Sequence, residues 1–178
     1  THMSVVDAAG NVAALSVSNG EGCGYMVPGT GIMMNNMLGE EDINTHGFHA
    51  WPEGSRMSSM MSPTVIRRAD GRLAALGSGG SNRIRTAILQ VLINLIDGEQ
   101  EIAAAVAAPR LHLEAGVAHV EGGFADEVAA AAGALAERST VWPARNLFFG
   151  GVHGVERASD GRFSAAGDPR RGGSTSIV

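Results

Sequence analysis

Thr1 carries the chemistry that the rest of the sequence has to serve. At a chain start, a threonine holds a hydroxyl that can attack and an α-amine that can take the hydroxyl's proton. The ordinary pKa of such an amine, about 7.7–8.0, leaves a usable neutral fraction near neutral pH. Two origins fit a chain that begins Thr1-His2-Met3-Ser4 and runs at once into strand-like sequence. One is a cloning boundary with His2-Met3 as its scar. The other is self-cleavage before a catalytic threonine, and the landmarks along the whole chain favour it.

Four further groups have types and spacings that suit catalysis. Ser18 ends the partner strand of the first hairpin, so its hydroxyl can reach the Thr1 hydroxyl or amine. An ordinary strand serine is the alternative. Gly77-Ser78-Gly79-Gly80-Ser81 joins a strand to a helix start. Backbone N–H groups there, reinforced by the helix dipole, can hold an anion or a developing oxyanion. A plain strand-to-helix turn is the other reading, and the lack of a Gly-Lys-Ser/Thr ending excludes a P-loop. Ser58-Ser59 offers two hydroxyls to a carboxylate, and Glu40-Glu41-Asp42 offers acids to an ammonium group. Loop polarity and a solvated turn are their plain readings. His46 and His49 have no Cys or carboxylate spacing to complete a site, so no metal and no cofactor is expected. Met33, Met34, Met37, Met57, Met60 and Met61 are expected as core and pocket filler.

The elements that must position these groups mix strand and helix. Residues 3–7 and 12–18 flank Ala8-Ala9-Gly10-Asn11 and read as a hairpin. Residues 19–31 form a Gly-rich loop, and 39–56 a second, aperiodic one. Residues 64–68 and 72–76 flank an Asp70-Gly71 turn, a second hairpin. Ser81 is expected to cap a helix to about Ile96, with Ile84, Ala87, Ile88, Val91, Leu92 and Leu95 on its buried stripe. A shorter helix is expected over about 100–107, short strands near 110–120, and an Ala-rich helix over 124–136. Strands near 139–142, 147–155 and 162–166 complete an α+β chain of sheets covered by helices.

Composition limits the function classes. The 178 residues make one domain, residues 1–178, with 44% hydrophobic and 17% charged residues, enough for a packed core. A net charge of −5 with scattered Lys and Arg gives no footprint for nucleic acid or an anionic membrane. A single cysteine, Cys23, rules out an intrachain disulfide framework. No apolar run approaches the ~18 residues of a membrane span.

Taken in order, the landmarks resemble the small, C-terminal subunit of γ-glutamyltranspeptidase, an N-terminal nucleophile hydrolase. They are Thr1-His2-Met3-Ser4-Val5-Val6-Asp7, Pro28-Gly29-Thr30-Gly31-Ile32-Met33-Met34-Asn35-Asn36 and Ser58-Ser59-Met60-Met61-Ser62-Pro63-Thr64. Gly79-Gly80-Ser81-Asn82-Arg83-Ile84, Ala108-Pro109-Arg110 with His112, and Asp168-Pro169-Arg170 continue the series.

The resemblance implies a four-layer αββα sandwich completed by a separate large subunit cut from the same precursor. It implies autocleavage before the threonine and attack on a γ-glutamyl amide such as glutathione. The acyl group then passes to water or an amino-acid acceptor. By resemblance Thr1 is nucleophile and base, Ser18 supports it, and Asn19 and Glu40 meet the substrate's α-amino group. Ser58 and Ser59 hold its carboxylate, helped by an Arg of the large subunit. Gly79 and Gly80, or Gly80 and Ser81, supply the oxyanion donors. The resemblance allows a dimer of heterodimers and a bacterial periplasmic or cytoplasmic setting.

Three departures open alternatives. The family has one residue between its nucleophile and the histidine, so the nucleophile is either Thr1 or a threonine just upstream. Met37 stands where the family has Gln or Glu. The loop after Ser18 is shorter than in the family. An acylase taking a glutaryl-like or other amide, and an inactive homologue acting as a binding module, are the competing readings.

Overall fold

The structure, a computed structural model, describes residues 1–178. In chain order the strands and helices are β1 (His2–Val6), β2 (Val12–Ser16), β3 (Met26–Val27), β4 (Ile32–Met33), β5 (Thr64–Arg67), β6 (Leu73–Gly79), α1 (Arg83–Ile96), α2 (Ile102–Ala107), β7 (Leu111–Glu114), β8 (Val117–Val120), α3 (Asp126–Gly133), β9 (Arg138–Val141), β10 (Gly151–Arg157) and β11 (Phe163–Ala166). The residues group into two compact units, Thr1 with Val17–Met60 and His2–Ser16 with Met61–Val178.

In the larger unit, an antiparallel sheet of order β11-β10-β6-β5 has α1 and α2 on one face and the β1–β2 hairpin on the other. The hairpin turn is set by Asp7, whose carboxylate accepts from the Asn11 N–H at 2.8 Å and the Asn11 amide at 2.7 Å. Its pairing runs from His2↔Ser16 to Val6↔Val12. Side chains alternate across a strand: His2 is buried and Ser4 and Val6 half-buried, while Met3 and Val5 are exposed. The core joins Leu76 and Val152 of the sheet to Ile84, Ala87, Ile88, Val91 and Leu95 of α1 and to Ile102, Ala105 and Val106 of α2. Of the stripe expected on α1, Leu92 alone is not fully buried.

Several boundaries differ from the sequence expectation. Helix α1 begins at Arg83 rather than at a Ser81 cap. Ser81 sits at φ 55°, and a tight turn precedes the helix, with Arg83 N–H donating to the Gly80 carbonyl at 3.2 Å. Helix α3 is shorter than the Ala-rich run. The strand expected over 147–155 begins only at Gly151. A 3-10 turn at Leu147–Phe149 precedes it, fixed by Asn146 Oδ1 accepting from Phe148 N–H at 2.9 Å. The methionines expected in the core are not there: Met33 and Met34 are exposed, and Met37, Met57, Met60 and Met61 are only half-buried. No helix is long and apolar enough to cross a membrane.

Two sequence landmarks meet in a buried charge cluster. Arg110 bonds Asp168 at 2.7 Å, and Arg170 bonds both Glu121 at 2.5 Å and Asp168 at 3.3 Å. The Asp168 carboxylate also accepts from the Val152 N–H at 2.9 Å. Two cations and two anions balance, which lets the group lie inside the protein.

The smaller unit is turn-rich. The short β3–β4 hairpin pairs Met26 with Met33 and Val27 with Ile32. Buried Asn44 braces the loop: its amide N–H donates to the carbonyls of Met37 at 3.0 Å and Glu40 at 2.6 Å. Its amide oxygen accepts from the Trp51 indole N–H at 2.9 Å.

Candidate active site

Thr1 continues the ladder of the first hairpin by one pair. Its α-amine donates to the Val17 carbonyl at 3.0 Å, and Val17 N–H donates to the Thr1 carbonyl at 3.0 Å. With His2 opposite Ser16 and Thr1 opposite Val17, Ser18 stands across from the position that would precede Thr1. The Ser18 hydroxyl does not take the Thr1 amine, which goes to Val17. It accepts instead from the Gly20 N–H at 3.0 Å.

Asn19, Gly20, Asn36 and Glu40 gather at one point. The Asn19 carbonyl accepts from Gly22 N–H at 3.1 Å and from Asn36 N–H at 3.2 Å. The Asn36 amide oxygen accepts from Glu21 N–H at 2.8 Å. Gly20 has φ 64°, and a Cβ there would overlap the Asn36 amide oxygen and the Glu40 carboxylate. Glycine is therefore required twice over, by conformation and by space. Burial, then the neighbouring Asp42 and Glu21 carboxylates, pushes the Glu40 pKa up. A cation placed there would relieve that repulsion. Ser58 and Ser59 are exposed, in a stretch without regular structure that leads to β5.

The glycine turn belongs to the larger unit. Gly79 ends β6 opposite Gly151, and Gly80, at φ 139°, lies against the Gly150 backbone. The Ser78 hydroxyl donates to the Gly79 carbonyl at 3.1 Å and accepts from Gly151 N–H at 3.2 Å, which ties the turn to β10.

His2 was not singled out as a site residue by its type, yet it is the most constrained side chain beside Thr1. It is 8% exposed. Its Nδ1 bonds the Ser16 hydroxyl at 2.8 Å and its Nε2 the Ser4 hydroxyl at 2.7 Å. Burial, then His153, lowers its pKa, so the ring is held neutral. The His-x-Ser alternation on one strand and a serine opposite on the next were a readable signal once the hairpin register was drawn.

Comparisons with known proteins give the chain's family and fold. The sequence profile of the family described as gamma-glutamyltranspeptidase matches residues 1–178. The acylase ACY 1 proenzyme of Pseudomonas sp. (strain SE83) is 34% identical over 93% of this chain and 30% of that protein. The glutathione hydrolase proenzyme of Arthroderma benhamiae is 31% identical over 100% of this chain and 32% of that protein. The chain thus spans about a third of the length of these curated relatives. Among solved structures, gamma-glutamyltranspeptidase from Pseudomonas nitroreducens complexed with L-DON superposes with a TM-score of 0.80 at 26% identity, covering 100% of this chain and 99% of that one. The Bacillus anthracis transpeptidase CapD does so with a TM-score of 0.78 at 25% identity, again over 100% and 99%.

Proposed function

Because the chain belongs to the γ-glutamyltranspeptidase family, we propose that it is the nucleophile-bearing part of an enzyme that opens γ-glutamyl amides through an acyl-enzyme. A threonine hydroxyl attacks the amide carbonyl, and its own α-amine takes the proton and returns it to the leaving amine. Backbone N–H groups at Gly79 and Gly80, or Gly80 and Ser81, stabilise the oxyanion. Asn19 and Glu40 meet the donor's α-ammonium group, and Ser58 and Ser59 its carboxylate. Water or an amino acid then takes the acyl group. The observation that carries this reading is the gathering at Gly20, where the Ser18 hydroxyl, the Asn36 amide and the uncompensated Glu40 carboxylate converge three residues past Val17, the ladder partner of Thr1.

Register bears on which threonine attacks. On a strand, alternate residues share a face. A residue before Thr1 shares its face with His2 and stands opposite Ser18, whereas Thr1 shares its face with Met3 and stands opposite Val17. The His2 face packs on Gly77, and the same strand ends at Gly79. On this register a nucleophile at Thr1 faces Val17, and one at the position before it faces Ser18.

The partner is a large subunit cut from the same precursor. The outer face of the β1–β2 hairpin supports this, because Met3, Val5 and Leu15 are 57%, 52% and 51% exposed where a fourth layer would lie. An acylase for a less cationic donor is the second reading, favoured by Met37 and by the relatives named acylase.

The test is intact mass and hydrolysis of γ-glutamyl-p-nitroanilide by the whole precursor. Alanine at the true nucleophile, Thr1 or the residue before it, leaves the chain uncut and idle. If both alanine variants split and turn over normally, the proposal fails. Splitting with turnover of other amides alone selects the acylase.

A further inference from the structure

The geometry points to His2 as a positioning residue for the nucleophile, an inference that rests on the functional reading above. Its imidazole ties β1 to β2 through the Ser16 hydroxyl at 2.8 Å and braces its own strand through Ser4 at 2.7 Å. A neutral imidazole offers one donor and one acceptor, and two hydroxyls satisfy both in either tautomer. The ring needs the bare backbone of Gly77 beneath it, since a Cβ there would overlap Nδ1, Cε1 and Cγ of His2. The strand register is thus pinned by a polar link on one side and a shape fit on the other.

That pin lies one residue from Thr1, and Ser16 lies two from Ser18. A one-residue slip would turn every side chain of the strand to the other face. A smaller shift would move the attacking oxygen off its line to the carbonyl, and such displacements cost about 100-fold in rate. His2 touches neither substrate nor the reacting atoms in this scheme; it acts through strand register and through Ser16. On β2 and β6 no titratable group faces it, and on β10 the facing group is His153.

The experiment uses the complete precursor and reads kcat, KM, splitting and melting temperature for His2→Leu, His2→Asn and Ser16→Ala. His2→Leu fills the slot without hydrogen bonds, and kcat and splitting fall about 100-fold with KM unchanged. His2→Asn keeps a polar group at the Nδ1 position and recovers about 10-fold of that loss. Ser16→Ala removes a single oxygen without disturbing the slot. It lowers kcat about 10-fold while melting stays near wild type, and it decides the matter if His2→Leu fails to fold. Wild-type kcat in Ser16→Ala or in a folded His2→Leu overturns the inference, as does a loss confined to KM. A wild-type precursor that neither splits nor hydrolyses amides brings down the functional reading first, and this inference with it.

Discussion

Gly20 is the tightest point of the candidate site. Its left-handed backbone costs an L-residue about 1 kcal/mol, and the atoms above it are the Asn36 amide oxygen and the Glu40 carboxylate. Gly20→Ala should displace both, raising KM for a cationic donor about 10-fold or more, in line with a lost charged hydrogen bond. Melting should fall only slightly. Steady-state kinetics on γ-glutamyl-p-nitroanilide check this, and an unchanged KM would remove Glu40 from the binding role. Single residues were unevenly legible. The closeness of Asn36 and Glu40 to the loop after Ser18 was approachable from motif order, because motif spacing survives without a structure. The Ser18 hydroxyl's bond to Gly20, and the two-sided constraint on His2, depend on backbone direction that no residue type encodes.

Strands and helices set a second class of expectations. Leu76 is fully buried in β6, the strand that carries helices on one face and the hairpin on the other. Leu76→Ala should cost about 2–5 kcal/mol, read by denaturant unfolding of the processed enzyme, with the m-value unchanged. A cost below 1 kcal/mol would mean that this junction is not where the core is anchored. The hairpins were legible from turn chemistry, Ala-Ala-Gly-Asn in one and Asp-Gly in the other. The buried stripe of α1 was legible from its 3.6-residue period. The start of α1 was not, because Ser81 reads as a cap by type but takes φ 55° in a tight turn. The parallel pairing of β8 with β9 was not legible either, since it joins Val117 to Arg138 across an intervening helix.

Across the molecule, acid should act in two steps. Burial lowers the pKa of His2, His119 and His153. Each is held neutral when folded, so its contribution is complete above the ordinary imidazole pKa and is lost as pH falls through the depressed one. Burial alone would raise Asp168, but Arg110, the N–H groups of Arg170 and Val152, and the Arg170 charge outweigh it and lower its pKa. Its contribution is complete above the ordinary carboxylate pKa and is lost as pH falls through the lower one. Melting temperature against pH should therefore decline below about 6.5, then again in the carboxylate range. Asp168→Asn should shrink the second step and cost about 3–5 kcal/mol, because it takes the carboxylate from buried Arg110 while Arg170 keeps Glu121. A single-step profile in the wild type would contradict the arrangement. The outer hairpin face of Met3, Val5 and Leu15 has a consequence for biosynthesis. A surface that is dry only when covered makes the chain aggregation-prone when made alone. Were the proposed large subunit its cover, synthesis of both as one polypeptide would supply the pieces in equal number at the same moment, and the later cut would release no orphan.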